Sequence, residues 1–193
     1  MNKPKLGYAL CGSFCTLAQS VQVLEELAAE GCYDLYPIMS GITYETDTRF
    51  GKAEEFRRRV ESACGREILH TIPQVEPIGP KGYLDVLVVA PCTGNTLSKL
   101  ASGITDSSVT MAVKAHLRNQ KPVVLALATN DALSGSAKGL GTLLGAKGIY
   151  FVPMAQDDPE KKPASLIADF HRIPEAVQAA LEGRQLEPIF YLL

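Results

Sequence analysis

Apolar positions along this chain follow two periods. Residues 5–10, 33–39, 85–90, 122–128 and 148–152 are short β-branched and apolar runs, of the kind found in strands buried on both faces. Between them, apolar residues recur at helical spacing. They are Leu17, Val21, Leu24 and Ala28, then Phe56, Val60 and Cys64, then Leu97, Leu100 and Ala101, then Val109, Ala112, Val113 and Leu117, and finally Leu140, Leu143 and Leu144. Strands alternating with helices predict a three-layer α/β fold with a doubly wound parallel sheet. Gly31 is placed to end the first helix in a left-handed cap. Residues 67–72 predict a short edge strand, and Pro73, Pro77, Gly79, Pro80 and Gly82 after it predict an irregular connection. The central strand is expected to stop at Ala90, because Pro91 cannot donate to a ladder. Pro163 is expected to open a terminal helix that Pro174 breaks in two.

Composition adds limits rather than identity. With 193 residues, 46% hydrophobic and 21% charged, the chain fits a single domain over residues 1–193, and no repeat or low-complexity linker interrupts it. A net charge of −2 without a basic segment interleaved with aromatics argues against nucleic acid. No leader-like order of charged, apolar and small residues follows Met1, and no apolar run reaches the ~20 residues of a bilayer span, so a cytoplasmic setting is expected. The five scattered cysteines suit reduced thiols. No CxxC or HExxH pattern supports a metal site. His70, His116 and His171 each stand without a neighbouring Ser, Cys or carboxylate to form a relay, and Arg57, Arg58 and Arg59 read as a solvated helix face.

Candidate chemistry gathers where strands hand over to helices. The run Pro91-Cys92-Thr93-Gly94-Asn95-Thr96 follows the central buried strand and opens a helix. Capping accounts for one hydroxyl there, but not for the crowding of Cys92, Thr93, Asn95 and Thr96. Gly12 and Ser13 stand at the equivalent turn after the first strand, and Ser40 after the second. Ligands of open parallel sheets bind at such carboxyl ends, so these hydroxyls and free N–H groups suit the phosphate of a flavin mononucleotide. The next strand delivers Thr129, Asn130 and Asp131 to the same rim. Ser134, Ser136 and Lys138 follow in a small, glycine-rich segment that reads equally as a substrate lid or a soft helix start.

These residues also carry a resemblance. Ala90-Pro91-Cys92-Thr93-Gly94-Asn95-Thr96, with Ala101-Ser102-Gly103-Ile104-Thr105-Asp106, is similar to the signature of the flavoproteins that include phosphopantothenoylcysteine decarboxylase and flavin prenyltransferase. Residues 128–138 and 150–159 more narrowly resemble the B subunits of dipicolinate synthases of spore-forming bacteria. The resemblance implies a Rossmann-like sheet of order 3-2-1-4-5-6 and FMN held by Gly12, Ser13, Ser40, Pro91, Cys92, Thr93, Asn95 and Thr96. It implies a homo-oligomer and, as partner, the NAD(P)-dependent A subunit of dipicolinate synthase. Dipicolinate would form in the mother cell during sporulation, from a dihydropyridine or hydroxytetrahydropyridine dicarboxylate held by Thr129, Asn130, Ser134, Ser136 and Lys138. It leaves open an FMN-dependent decarboxylase, or a structural subunit with a vestigial flavin site. Pro77-Ile78 stands where the cysteine decarboxylases carry His-Ile, and Ala128-Thr129-Asn130 replaces their substrate clamp, which argues against decarboxylation. About Glu160 stands where the prenyltransferases carry a tyrosine, and a carboxylate there repels a prenyl phosphate. The apolar tail, residues 188–193, is expected to pack within the subunit or, as the family favours, between subunits.

Overall fold

The computed structural model describes residues 3–191. Strand β1 (Lys5–Leu10) leads into helix α1 (Phe14–Glu30), which Gly31 ends with φ 66°, and β2 (Asp34–Met39) follows. Short helix α2 (Gly41–Glu45) and α3 (Ala53–Cys64) come next, then α4 (Ile72–Val75) and α5 (Ile78–Lys81). Strand β3 (Val86–Cys92) feeds α6 (Gly94–Ala101) and α7 (Ser108–Leu117), and β4 (Val123–Thr129) feeds α8 (Ala137–Leu144). Strands β5 (Ile149–Phe151), β6 (Met154–Ala155) and β7 (Leu166–Ala168) precede a 3₁₀ turn and α9 (Ile173–Leu181).

The order β2-β1-β3-β4, with β5 beside β4, is parallel throughout. Alternate strand residues feed two cores. Val86, Val88 and Ala90 join α1, α3 and α9 on one face, whereas Leu87 and Val89 join α5, α6, α7 and α8 on the other. Beyond β2 the expected edge strand survives as a single parallel bridge, Ile38 to Leu69, so the predicted order holds with its third member reduced to one residue. Leu69 N–H donates to the Pro37 carbonyl and Met39 N–H donates to the Leu69 carbonyl, both at 3.0 Å. The next outward donor on β2 would be residue 37, which as proline has none, and the chain enters the Thr71-capped α4 on the other side.

Several local expectations are corrected. Strand β3 runs through Pro91 to Cys92, because a register shift between Val89 and Cys92 absorbs the residue that cannot donate, and the Ala90–Pro91 peptide is cis. Residues 72–81 form two helical turns rather than an irregular link. No helix starts at Pro163. Residues 166–168 pair antiparallel with Ala128 and Thr129 of β4 and with β6, and Pro174 lies in the first turn of α9, where its missing N–H costs nothing. The arginine run is also not simply solvated. Arg57 stacks 4.6 Å from the Tyr44 ring and donates to the Tyr44 carbonyl, and Arg59 grips Glu25 of α1 bidentately.

The tail packs back on its own subunit. Met154 N–H donates to Ile189 O (2.9 Å) and Tyr191 N–H to Met154 O (3.2 Å), while Phe190 remains 48% exposed. Leu192 and Leu193, part of the expected apolar end, lie outside the described residues. Just upstream, the Gln185 amide accepts from Phe151 N–H at 2.8 Å and donates to Phe151 O at 2.7 Å, standing in for a neighbouring strand at the edge of β5.

Candidate functional site

The hydroxyls singled out by the sequence meet at the carboxyl ends of β1, β2 and β3, where the sheet is wound in both directions. At the β3 end, Thr93 is the N-cap of α6. Its Oγ1 accepts from Thr96 N–H at 3.1 Å and donates to Thr96 Oγ1 at 3.0 Å. Thr96 Oγ1 lies 3.3 Å from Cys11 Sγ, tying the ends of β1 and β3 together. At the β2 end, Ser40 Oγ caps α2 by accepting from Thr43 N–H at 3.4 Å and contacts Thr43 Oγ1 at 2.7 Å. Ser13 differs, because it precedes α1 without capping it, and its Oγ receives the Thr16 hydroxyl at 3.0 Å. The first N–H groups of the 17-residue α1 therefore point at the crevice with the positive end of its dipole.

Two cavities, of about 810 and 670 Å³, open over these ends and share Gly12, Thr93 and Asn95. Ser40 and Thr96 line the smaller, together with Ser107, His70 and the Lys99–Asp106 ion pair (2.8 Å), which holds the Asp106 carboxyl below the usual carboxylate range. Ser13, Thr129 and Asn130 line the larger. The structure does not bring the remaining candidates to the space. Pro91 and Cys92 are buried beneath it, and burial pushes the Cys92 thiol far up, which leaves it protonated and unsuited to nucleophilic work. Cys11 behaves alike, with burial raising its thiol to about 11. Ser134 and Lys138 are exposed and line neither cavity. Ser136 is 2% exposed and acts inward, donating to Asp131 Oδ1 at 2.9 Å. Its segment is a helix start rather than a lid, since α8 begins at Ala137.

Asp131, Arg49, Phe50 and Lys162 also line the larger cavity. The sequence places Asp131 on the rim, after Thr129 and Asn130 at the end of a buried strand, without giving it a ligand role, and it assigns the other three to no site. Asp131 Oδ1 also accepts from Thr129 Oγ1 at 2.5 Å, and the pair of hydroxyls lies against Gly94, where a Cβ would sit 2.6 Å from all three oxygens. Arg49 and Phe50 had no signal, because the connection between α2 and α3 shows no periodicity. Lys162 lies just before the helix expected from Pro163, where no pattern marks a site. It pairs with Asp157 at 2.7 Å, and this bond draws the Asp157 carboxyl down.

The profile of the flavoprotein family matches residues 1–137, most of the chain, including the carboxyl ends of β1, β2, β3 and β4. This chain belongs to the flavoprotein family. The B subunit of dipicolinate synthase from Bacillus subtilis (strain 168) is 43% identical to this flavoprotein over 185 residues, covering 96% of this chain and 92% of the relative. The crystal structure of the B subunit of dipicolinate synthase from Bacillus halodurans C superposes with a TM-score of 0.89 at 39% identity, over 100% of this chain and 99% of that one. A more distant flavoprotein, the FMN-dependent cysteine decarboxylase SpaF, shares the fold at 20% identity and a TM-score of 0.70, over 93% and 97% of the two chains. No helix among the described residues is long and apolar enough to cross a membrane.

Proposed function

We propose that this flavoprotein is the B subunit of a dipicolinate synthase, working in the cytoplasm of a sporulating mother cell with an NAD(P)-dependent partner protein, the A subunit, to convert a cyclic precursor dicarboxylate into the pyridine product. The observation that carries this is the 43% identity extending over 96% of the chain. FMN is the proposed ligand of the shared rim. The donor set fits it: neutral hydroxyls at Ser13, Ser40, Thr93 and Thr96, the uncapped start of α1, and space of ordinary ligand size. In the smaller cavity Asp106, the carboxylate there, is matched by Lys99, so a phosphate meets no unpaired negative charge. A bound flavin supplies a two-electron acceptor or donor. This chain's own residues would orient it, through Thr93 and Asn95 between the two cavities, and would keep Asp131 facing the larger one.

The decarboxylase alternative is not supported at the matching position. Pro77-Ile78 leads into α5, where Ile78 is fully buried under the sheet, and neither residue offers an imidazole; the His70 imidazole that lines the smaller cavity is stacked on the Tyr44 ring at 3.8 Å.

The test is to purify the chain and record its visible spectrum, then assay dipicolinate formation with the NAD(P)-dependent partner. A flavin spectrum and activity with that partner support the reading. A colourless chain that still supports activity places it in a structural role, and absence of activity refutes it. Within this reading Thr93→Val is expected to weaken FMN binding about tenfold, since it removes both a rim hydroxyl and the α6 cap, the latter costing about 1 kcal/mol of stability. Equal affinity by flavin fluorescence titration would remove Thr93 from the site. A homo-oligomer is proposed as well, with the exposed Phe190 near its contact. Deleting residues 188–193 should then lower the mass measured by light scattering, and an unchanged mass would confine the tail to the packing seen on β6.

A further inference from the structure

We infer that Arg49 is the carboxylate-recognising residue of the larger cavity, selecting a planar ring that carries two carboxylates. The ring's identity rests on the function proposed above; the charge argument does not. Four charged side chains line this cavity: Arg49, Asp131, Asp157 and Lys162. Three are already committed. Lys162 and Asp157 neutralise one another at 2.7 Å, and Asp131 Oδ1 takes the hydroxyls of Thr129 and Ser136. Arg49 makes no ion pair among the described residues, so it is the unpaired cation an incoming anion meets, while Asp131, bonded only by neutral hydroxyls, keeps its negative charge at its own end of the cavity.

Its setting suits a carboxylate. Arg49 sits in a tight turn closed by reciprocal bonds between Thr48 and Gly51 (3.0 and 3.1 Å), with Phe50 N–H on Thr48 Oγ1 at 3.1 Å. Asp47 Oδ1 fastens the turn to α3 by accepting Ala53 N–H at 2.8 Å. The guanidinium carbon lies 4.8 Å from the Phe50 ring centroid. Stacking on a ring restrains the fork while leaving its N–H edges free for the two oxygens of a carboxylate, which an ammonium cannot engage bidentately. Phe14, Phe50 and Ile167 offer apolar surface to the ring, and the Asn130 amide offers a neutral donor to a second carboxylate.

The experiment titrates the full-length chain, with any flavin it carries, with pyridine-2,6-dicarboxylate by calorimetry. Arg49→Gln is expected to raise Kd at least tenfold and Arg49→Lys several-fold, whereas Lys138→Ala leaves it unchanged. Pyridine-2-carboxylate should bind more weakly than the dicarboxylate to the unaltered protein. FMN affinity should stay within twofold in Arg49→Gln, showing that the anion recognised is not the flavin phosphate. Unchanged dicarboxylate binding in Arg49→Gln, loss of FMN binding in its place, or no dicarboxylate binding by the unaltered chain overturns the inference. Activity with the NAD(P)-dependent partner separates the two claims. Arg49-dependent binding without product formation refutes the proposed enzyme but keeps the carboxylate site, and product formation with the same KM in Arg49→Gln does the reverse.

Discussion

Gly94→Ala is expected to destabilise this protein by about 3 kcal/mol, although the substitution adds one methyl group and improves helix propensity. Glycine is required here for space. Its backbone torsion is ordinary, but an added Cβ would lie 2.6 Å from Asp131 Oδ1, Ser136 Oγ and Thr129 Oγ1, closer than real Cβ contacts come. Those oxygens are themselves bonded to one another, so moving aside costs hydrogen bonds as well as packing. At roughly 2–4 °C per kcal/mol for a domain of this size, the thermal midpoint should fall by about 6–12 °C. Gly41→Ala is the control, since nothing lies within 4 Å of its added Cβ, and its midpoint should hardly move. A Gly94→Ala midpoint within about 2 °C of the unaltered protein would show that the Asp131 cluster yields easily.

The second large effect is on acid stability. His116, in the last turn of α7, is fully buried, with Nε2 3.1 Å from the Pro122 carbonyl and Nδ1 without a partner. Burial pulls its pKa down from 6.5 to about 4, against the upward pull of the Pro122 carbonyl; Lys121 adds to the fall and Asp85 opposes it. Above pH 6.5 both folded and unfolded chains hold the ring neutral, and His116 gives no pH dependence. As pH drops from 6.5 towards 4, the unfolded chain binds a proton that the folded chain refuses, so stability falls. The full loss is about 3 kcal/mol, reached near the folded pKa and flat below it for this group. His116→Gln keeps a donor for Pro122 but does not titrate. Urea denaturation at pH 7 and pH 4.5 should therefore show the unaltered protein losing about 2–3 kcal/mol more than the variant, and parallel losses would refute the assignment.

The parts of the fold that were legible in the sequence are those set by local pattern. Strand β1, the turn at Gly12, α1 and its Gly31 cap, β4 and α7 all follow from periodicity and capping residues within a short window. What escaped depends on distant partners. Residues 166–168 form a strand only because Ala128, Thr129 and β6 offer it bonds, and β3 can carry Pro91 only because the opposite strand accommodates a bulge. The candidate site divides the same way. Ser13, Ser40, Thr93 and Thr96 are tied to strand ends and helix starts, which the pattern locates. Arg49 and Lys162 reach the cavity from segments whose course is decided by tertiary packing, while Lys138, close to the rim in sequence, is carried outward on α8.

Pro37 and Gln185 together have a consequence for how copies of this chain can meet. At one edge of the parallel sheet the ladder is halted after Leu69 by a residue with no amide hydrogen, and at β5 the outward N–H and C=O of Phe151 are occupied by a side-chain amide of the same chain. An open edge strand is a template on which further chains add and aggregates grow. With both of these edges closed from within, strand-by-strand polymerisation has no starting point there, and association is left to side-chain surfaces, which can be specific and can stop at a defined number of copies.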